Sequence, residues 1–387
     1  MMIRIFIYLL ATIAVVVSCT KTEVAYDDVQ TGEITVSPVA GSITKAAITD
    51  GIYPTNQHIG MFAFHNTDIK SSTAVSSLTQ DQMAKYEANP YFTDAEFYYN
   101  DEPKKAWGGL TSYYWPITGS LIFAGYSMSA PEDPADPTTP VVKNGSVTYD
   151  FTEDKLVIAG YTQKANTSET FDLLWFGRTA TTYNNRTTGE AIALDFNHAL
   201  SWITFQVKGD AVTTASENPW KITSVVLNGI ATIGDAECIG TSATWKNWGP
   251  VDANNKLLGS DMTVFIGVVN YDIADNGDSA QELRSDVKGD EIIYPADDIE
   301  NVPAGVLVIP QKPTSATIHV TYKAPAGTVI NEVVDVPLTL TGDASWEAGK
   351  HYTYVIKLSP KEILVSPKVA TWPTTGDGYV TEEKSTN

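Results

Sequence analysis

The chain has 387 residues, with 46 Asp and Glu against 25 Lys and Arg, for a formal net charge of −21. That balance excludes binding to a nucleic-acid phosphate backbone, which requires clustered basic side chains, and it suits a solvated exterior surface. The length leaves room for two domains of ordinary size.

The N-terminus reads Met1-Met2-Ile3-Arg4, then an apolar run from Ile5 to Val17, then Ser18-Cys19. A basic residue, a short apolar core and a small residue before the processing point are the parts of a secretory signal. The run of about 13 residues is shorter than the ~20 that a bilayer-spanning helix needs. Val16-Val17-Ser18-Cys19 resembles a bacterial lipobox, which implies acylation of Cys19 and removal of residues 1–18. Acyl chains contribute about 0.8 kcal/mol per buried methylene, so several of them tether a soluble domain to a membrane. Thr20-Lys21-Thr22-Glu23 follows as a polar tether. With Cys19 lipidated, Cys238 has no disulfide partner. Its neighbours Asp235 and Glu237 are acidic, so it reads as a small buried residue and not as an activated thiol.

Further along, period-two alternation rich in Val, Ile, Thr, Tyr and Phe predicts strands. Glu33–Val36, Ile59–Phe64 and Leu121–Tyr126 come first, then Trp202–Val207, Ile222–Leu227, Met262–Ile266, Thr317–Tyr322 and Tyr352–Ile356. Turn signals such as Asn144-Gly145, Asn276-Gly277-Asp278 and Gly376-Asp377-Gly378 separate them. Thr79 to Ala88 is the one helical pattern, inside a connection. The expected fold is all-β, two antiparallel sandwiches in tandem. The polar stretch Thr179 to Glu190 lacks apolar periodicity and is the expected boundary, giving sandwiches over 46–180 and 190–372 and a polar tail over 373–387.

A search for chemistry is mostly negative. His58, His65, His198, His319 and His351 show no metal-binding spacing, and no zinc, nucleophile-elbow or P-loop motif appears, so neither a cofactor nor an enzymatic activity is expected. His198 reads as a buried hydrogen-bonding residue at a strand bend. Asp272 to Asp278 is acidic but lacks EF-hand alternation. Trp107, Trp115, Trp245 and Trp248 lie near Gly and polar residues, open to two readings: a sugar-stacking platform or caps on a sandwich core.

From about Cys19 to Trp372 the chain resembles the fimbrillin family of Bacteroidetes, subunits and accessory proteins of type V pili. The resemblance rests on Thr44-Lys45-Ala46-Ala47-Ile48, Ile59-Gly60-Met61-Phe62-Ala63 and Tyr113-Tyr114-Trp115-Pro116. It continues through Asp172-Leu173-Leu174, Leu194-Asp195-Phe196-Asn197-His198-Ala199-Leu200, Val308-Ile309-Pro310-Gln311 and the run from Trp346 to Tyr354. It implies two transthyretin-like sandwiches, and a lipidated precursor carried to the outer membrane. It also implies a trypsin-like cut after a basic residue beyond the first strand, followed by strand exchange with other pilin subunits, self or accessory. The first strand is then Gly32 to Ser37, with Ile34 and Val36 on one face. Lys45 is the only Lys or Arg between Lys21 and Lys70, which nominates the Lys45–Ala46 bond; an ordinary solvated lysine is the other reading. The segment Glu362 to Trp372, with Ile363 and Val365, reads either as a donor strand or as the last native strand. Until cut, acylated Cys19 holds the chain to outer-membrane lipid; adhesion to a host protein or glycan is the implied role, and a non-polymerising glycan-binding surface lipoprotein is the alternative.

Overall fold

The structure is a computed structural model. It describes residues 32–40, 43–44, 47–48, 53, 55, 57–101, 104–128, 138, 141, 145–163, 172–186, 188–209, 220–249, 262–266, 281–283, 287–288, 291–292, 305–313, 316–323, 331–338, 340, 344–358 and 363–371. The fold is all-β, in several sheets. Seven strands close into a barrel in the order β1 (Thr35–Ala40), β11 (Ile192–His198), β10 (Leu174–Phe176), β7 (Ser120–Ser127), β4 (Ile59–Asn66), β5 (Pro90–Asn100) and β6 (Ala106–Gly109). Closure leaves no unpaired edge, the feature that makes isolated strands prone to association. Ile34, Val36, Ile59, Met61, Phe97, Phe123, Leu194 and Phe196 belong to the core inside the barrel.

Every residue of β7 is buried, as is nearly all of β4, because both of their faces are covered. Ile59, Met61 and Ala63 join the inner core, while Phe62 and Phe64 alternate outward into a second one. The sheet made of β15 (Ser242–Gly249), β14 (Ile233–Ile239), β9 (Lys155–Thr162) and β8 (Ser146–Asp150) shares that second core. Gly145 directly precedes β8 at φ +93°, where a Cβ would stand 2.5 Å from the Ala159 carbonyl oxygen, so the Asn144-Gly145 signal marks a position that needs glycine.

A third core lies between two further sheets. One holds β17 (Gln281–Glu282), β12 (Ser201–Lys208), β23 (Lys350–Leu358) and β24 (Ile363–Thr371), with β20 (Gly305–Val308) also on β12. The other holds β16 (Met262–Ile266), β13 (Lys221–Asn228), β21 (Thr317–Lys323) and β22 (Asn331–Pro337). Ile203, Phe205, Val207, Tyr354 and Ile356 from the first meet Ile222, Val225, Leu227, Ile318 and Val320 from the second, a sandwich arrangement. Two small hairpins complete the strands: β2 (Ile43–Thr44) with β3 (Ala47–Ile48), and β18 (Val287–Lys288) with β19 (Glu291–Ile292).

The helix α1 (Gln80–Glu87) falls where the pattern placed it, with Thr79 and Gln82 forming a capping box. The segment expected to divide the chain does not separate the strands. Thr179 and Tyr183 donate N–H bonds of 2.9 and 2.8 Å to Phe123 and Leu121 of β7, and the next strand, β11, still belongs to the barrel. β8 and β9 come from before that segment and β14 and β15 from after it, yet they share one sheet. Backbone pairing outweighs the local lack of apolar periodicity.

Candidate strand-exchange site

The first strand among the described residues, β1, closes the barrel between β6 and β11. Along it Ile34 and Val36 are buried while Ser37 and Val39 are exposed, the alternation of a half-buried strand. It runs parallel to β11 over five residues, from Val36 opposite Ile192 to Ala40 opposite Phe196. Its other side meets β6 over only two, Thr35 with Gly108 and Val36 with Trp107. Pro38 lies beyond that short contact, where a strand with one open flank tolerates a missing N–H.

Upstream, Ile34 donates its N–H to Tyr113 O at 2.7 Å, and Trp115 donates to Gly32 O at 3.1 Å. The Glu33 carboxylate pairs with Lys104. Tyr53 stands edge-on to Trp107 with ring centroids 5.1 Å apart and lies 5.2 Å from Phe196, closing the slot from within.

A parallel pair cannot be joined by a tight turn, and here residues 41–191 intervene between β1 and β11. Among the described residues this strand comes first in sequence, and the other six barrel strands follow one another along the chain without it. Its absence would leave β6 and β11 as open edges beside a slot lined by Trp107, Ile192, Leu194 and Phe196. Such a slot accepts an extended segment carrying two alternate apolar side chains, with main-chain bonds supplying affinity and the pockets supplying register.

Of the residues singled out in the sequence, Ile34 and Val36 lie in this slot. Cys19, Lys45 and Ala46 lie outside the described residues; on either side of the nominated bond, Thr44 pairs with Ala47 and Ile43 with Ile48. The backbone of Ile363 pairs with Leu358 and that of Val365 with Ile356, so β24 is a native strand of the chain, with β23 as its neighbour in the sheet. The slot's walls were not foreseen as such. Ile192, Leu194 and Phe196 carry a plain period-two signal that marks β11 as half-buried, but nothing local announces a parallel partner so distant in the chain.

The sugar-platform reading of the tryptophans is corrected by burial. Trp107, Trp115 and Trp245 are all buried, and Trp245 donates its indole N–H to Ala199 O at 2.7 Å; the Trp248 side chain lies outside the described residues. His198 is buried at the end of β11, with its Nδ1 2.8 Å from Asp172 Oδ2. Cys238 is buried in the second core, and desolvation pushes its thiol well up. His351 stacks on Trp202 with centroids 4.0 Å apart, and burial pulls its imidazole down to about 4. Among the described residues no group of three or more His, Cys, Asp or Glu could hold a metal ion.

The fold is an all-β one in which a closed barrel is joined to further sheets. The fimbrillin-like family matches residues 44–372, and the chain belongs to that family. No curated protein matches it. Among solved structures it is similar to a putative cell adhesion protein from Bacteroides uniformis, at 13% identity and TM-score 0.48, over 88% of this chain and 98% of that one. It is similar to a fimbrial protein from Bacteroides vulgatus at 14% identity and TM-score 0.47, over 87% and 99%. It also resembles the C-terminally truncated tip fimbrial protein Mfa3 from Porphyromonas gingivalis at 11% identity and TM-score 0.35, over 88% and 99%.

Proposed function

We propose that this chain is a structural subunit of a cell-surface fimbrium, exported as a lipoprotein through Cys19 and assembled by strand exchange, with adhesion and not catalysis as its task. The observation that carries the reading is the place of β1: the first strand among the described residues, separable from the remaining fold, that fills a slot shaped for an extended segment. Cleavage of the Lys45–Ala46 bond would divide the chain between that strand and β4. Residues 19–45 would then be held by non-covalent contacts alone, and a strand from a neighbouring subunit could displace them and restore the closed barrel. The acyl group on Cys19 would serve as an outer-membrane address, lost with that segment; a subunit left uncut would keep its lipid as a basal anchor.

The test is the N-terminus of protein recovered from sheared filaments, read by mass spectrometry. Ala46 is the expected first residue. Acylated Cys19 throughout the filament population would overturn processing at this bond, and absence of the protein from filaments would overturn the subunit role itself.

A further inference from the structure

Among the described residues five large apolar side chains are exposed: Val39, Tyr91, Tyr114, Ile117 and Ile239. Single exposed apolar groups are ordinary on a protein surface, but three of these belong to one neighbourhood. The Tyr91 hydroxyl donates to Tyr114 O at 2.6 Å. His65 joins Tyr91 to the segment that carries Ile117: its ring stands edge-on to Tyr91 at 5.9 Å, and its Nε2 lies 2.7 Å from Thr118 O. Tyr114 is 52% exposed and Ile117 69%. Neither 88–91 nor 111–119 contains an Asp or Glu, although the whole chain is strongly acidic. Arg186 borders the patch, donating to Ile117 O, and its Nε finds no hydrogen-bond partner among the described residues. The Glu33 carboxylate, also close, is paired with Lys104.

The chain runs into β1 at this place. Glu33 pairs with Tyr114, Trp115 donates to Gly32 O, and a Cβ on Gly32 would stand 3.7 Å from the Arg186 carbonyl oxygen. Just upstream the sequence reads Val24-Ala25-Tyr26-Asp27-Asp28-Val29. It brings apolar side chains and two carboxylates, the complement of an acid-poor apolar patch beside a guanidinium.

We infer that residues 24–29 dock on the patch of Tyr91, Tyr114 and Ile117 in the same chain, with the Asp27-Asp28 pair toward Arg186. Reach permits it. Val29 lies three residues before Gly32 and Tyr26 six, so at about 3.5 Å per residue they extend to roughly 10 and 20 Å from that fixed point. Tethering makes the contact intramolecular, at an effective concentration on the order of millimolar for a short link. A second copy would have to approach against a like charge of −21 and give up its free translation. The occupant therefore comes from the chain itself.

On the lipoprotein reading above, docking shortens the link to the membrane. Between Cys19 and Val24 only about 18 Å of free chain would remain, which turns the end of the barrel where β1 begins toward the lipid. Cutting after Lys45 would release the segment with β1 and bare the patch in the same step. The docking itself needs neither lipid nor cutting, so it can fail while the subunit reading stands.

Hydroxyl-radical footprinting of the uncut chain, purified in detergent and read residue by residue by mass spectrometry, tests it. In the wild type Tyr114 and Ile117 should be labelled slowly, while Ile239, exposed in β14, is labelled fast. A variant carrying Val24→Ser, Tyr26→Ser and Val29→Ser should raise labelling of Tyr114 and Ile117 severalfold and leave Ile239 unchanged. Ile34 should stay protected, showing that β1 is still seated. Reciprocally, Ile117→Ser, at a position that packs against little in the fold, should raise labelling of Tyr26 severalfold. Equal labelling of Tyr114 and Ile117 in the wild type and the triple variant would overturn the inference. Protection that weakens on dilution would overturn it in favour of a second copy as occupant. If the three serines unseat β1, the Ile117→Ser variant decides, and unchanged labelling of Tyr26 there would overturn it.

Discussion

At the scale of single residues, Ile34 and Val36 hold β1 by being dry, and the proposed mechanism gives their substitutions an unusual signature. Ile34 is completely buried in the inner core, and truncating a buried Ile to Ala costs about 2–5 kcal/mol. Ile34→Ala should therefore lower the unfolding free energy of the unprocessed precursor by that amount, seen as a lower denaturant midpoint at unchanged slope. Filaments built from the same variant should disassemble at the wild-type denaturant concentration, because the altered residue departs with residues 19–45. Equal loss in precursor and filament would show that the strand is retained. His351 gives a second expectation. Its imidazole, stacked on Trp202 and 2.8 Å from Thr204 Oγ1, is pulled down to about 4 by burial, against about 6.5 in an unfolded chain. Between those values the unfolded state binds more protons, so stability rises with pH. The contribution is fully present above about pH 6.5 and is lost as pH falls to about 4, amounting to roughly 3 kcal/mol. Denaturant titrations from pH 4 to 8 should show this slope, and His351→Gln should flatten it. Cys238 should resist thiol reagents at pH 8 until the protein unfolds, since burial both shields the thiol and raises its proton affinity.

At the scale of elements, cutting the chain is not the same as removing a strand. β1 keeps its ladders to β11 and β6 and the burial of two apolar side chains whether or not the Lys45–Ala46 bond is intact. Each such side chain contributes about 1.5–3 kcal/mol. A nicked precursor should therefore elute as one species in native gel filtration, with residues 19–45 still attached. The fragment should separate only in denaturant or when excess peptide spanning residues 362–371 is added; immediate loss on cutting would mean that the slot empties without a competitor. The elements also show what could be read from the sequence. β4 and β7 were legible as strands from their β-branched and aromatic content, but the alternation read into Ile59–Phe64 and Leu121–Tyr126 did not reveal that both of their faces are covered. α1 was legible as the one helical pattern, Thr79 to Ala88, and the structure adds the capping box at its start. Thr179 and Tyr183 are tied to β7 mainly by main-chain bonds, with the Thr179 hydroxyl accepting from Phe123 N–H as the one side-chain addition; main-chain bonds leave no mark in side-chain pattern, so that stretch looked like a linker. The parallel pairing of β1 with β11 was invisible for a related reason, since topology and not local sequence brings those strands together. Alternation marked Ile34 and Val36 only as part of a strand; the exchange role expected of them came from the family resemblance.

At the scale of the whole molecule, charge opposes the assembly that the strands favour. Every copy carries a formal charge near −21, so two copies repel at distances where no strand contact has formed. The ion pair of Glu33 with Lys104, about half exposed on the lysine side, offers little attraction in return. Repulsion of this kind acts on encounter, because the screening length falls from about 30 Å at 0.01 M salt to about 8 Å at 0.15 M. The main-chain ladder and the two buried side chains act afterwards, on retention, and are indifferent to ionic strength. Growth of filaments from processed subunits, followed by light scattering, should therefore accelerate on the order of tenfold across that salt range. The rate at which finished filaments shed subunits should hardly change. An elongation rate that fell with added salt would mean that opposite charges on two partners steer the encounter, which a polymer of identical acidic copies cannot provide, and would direct the search toward a basic accessory subunit instead.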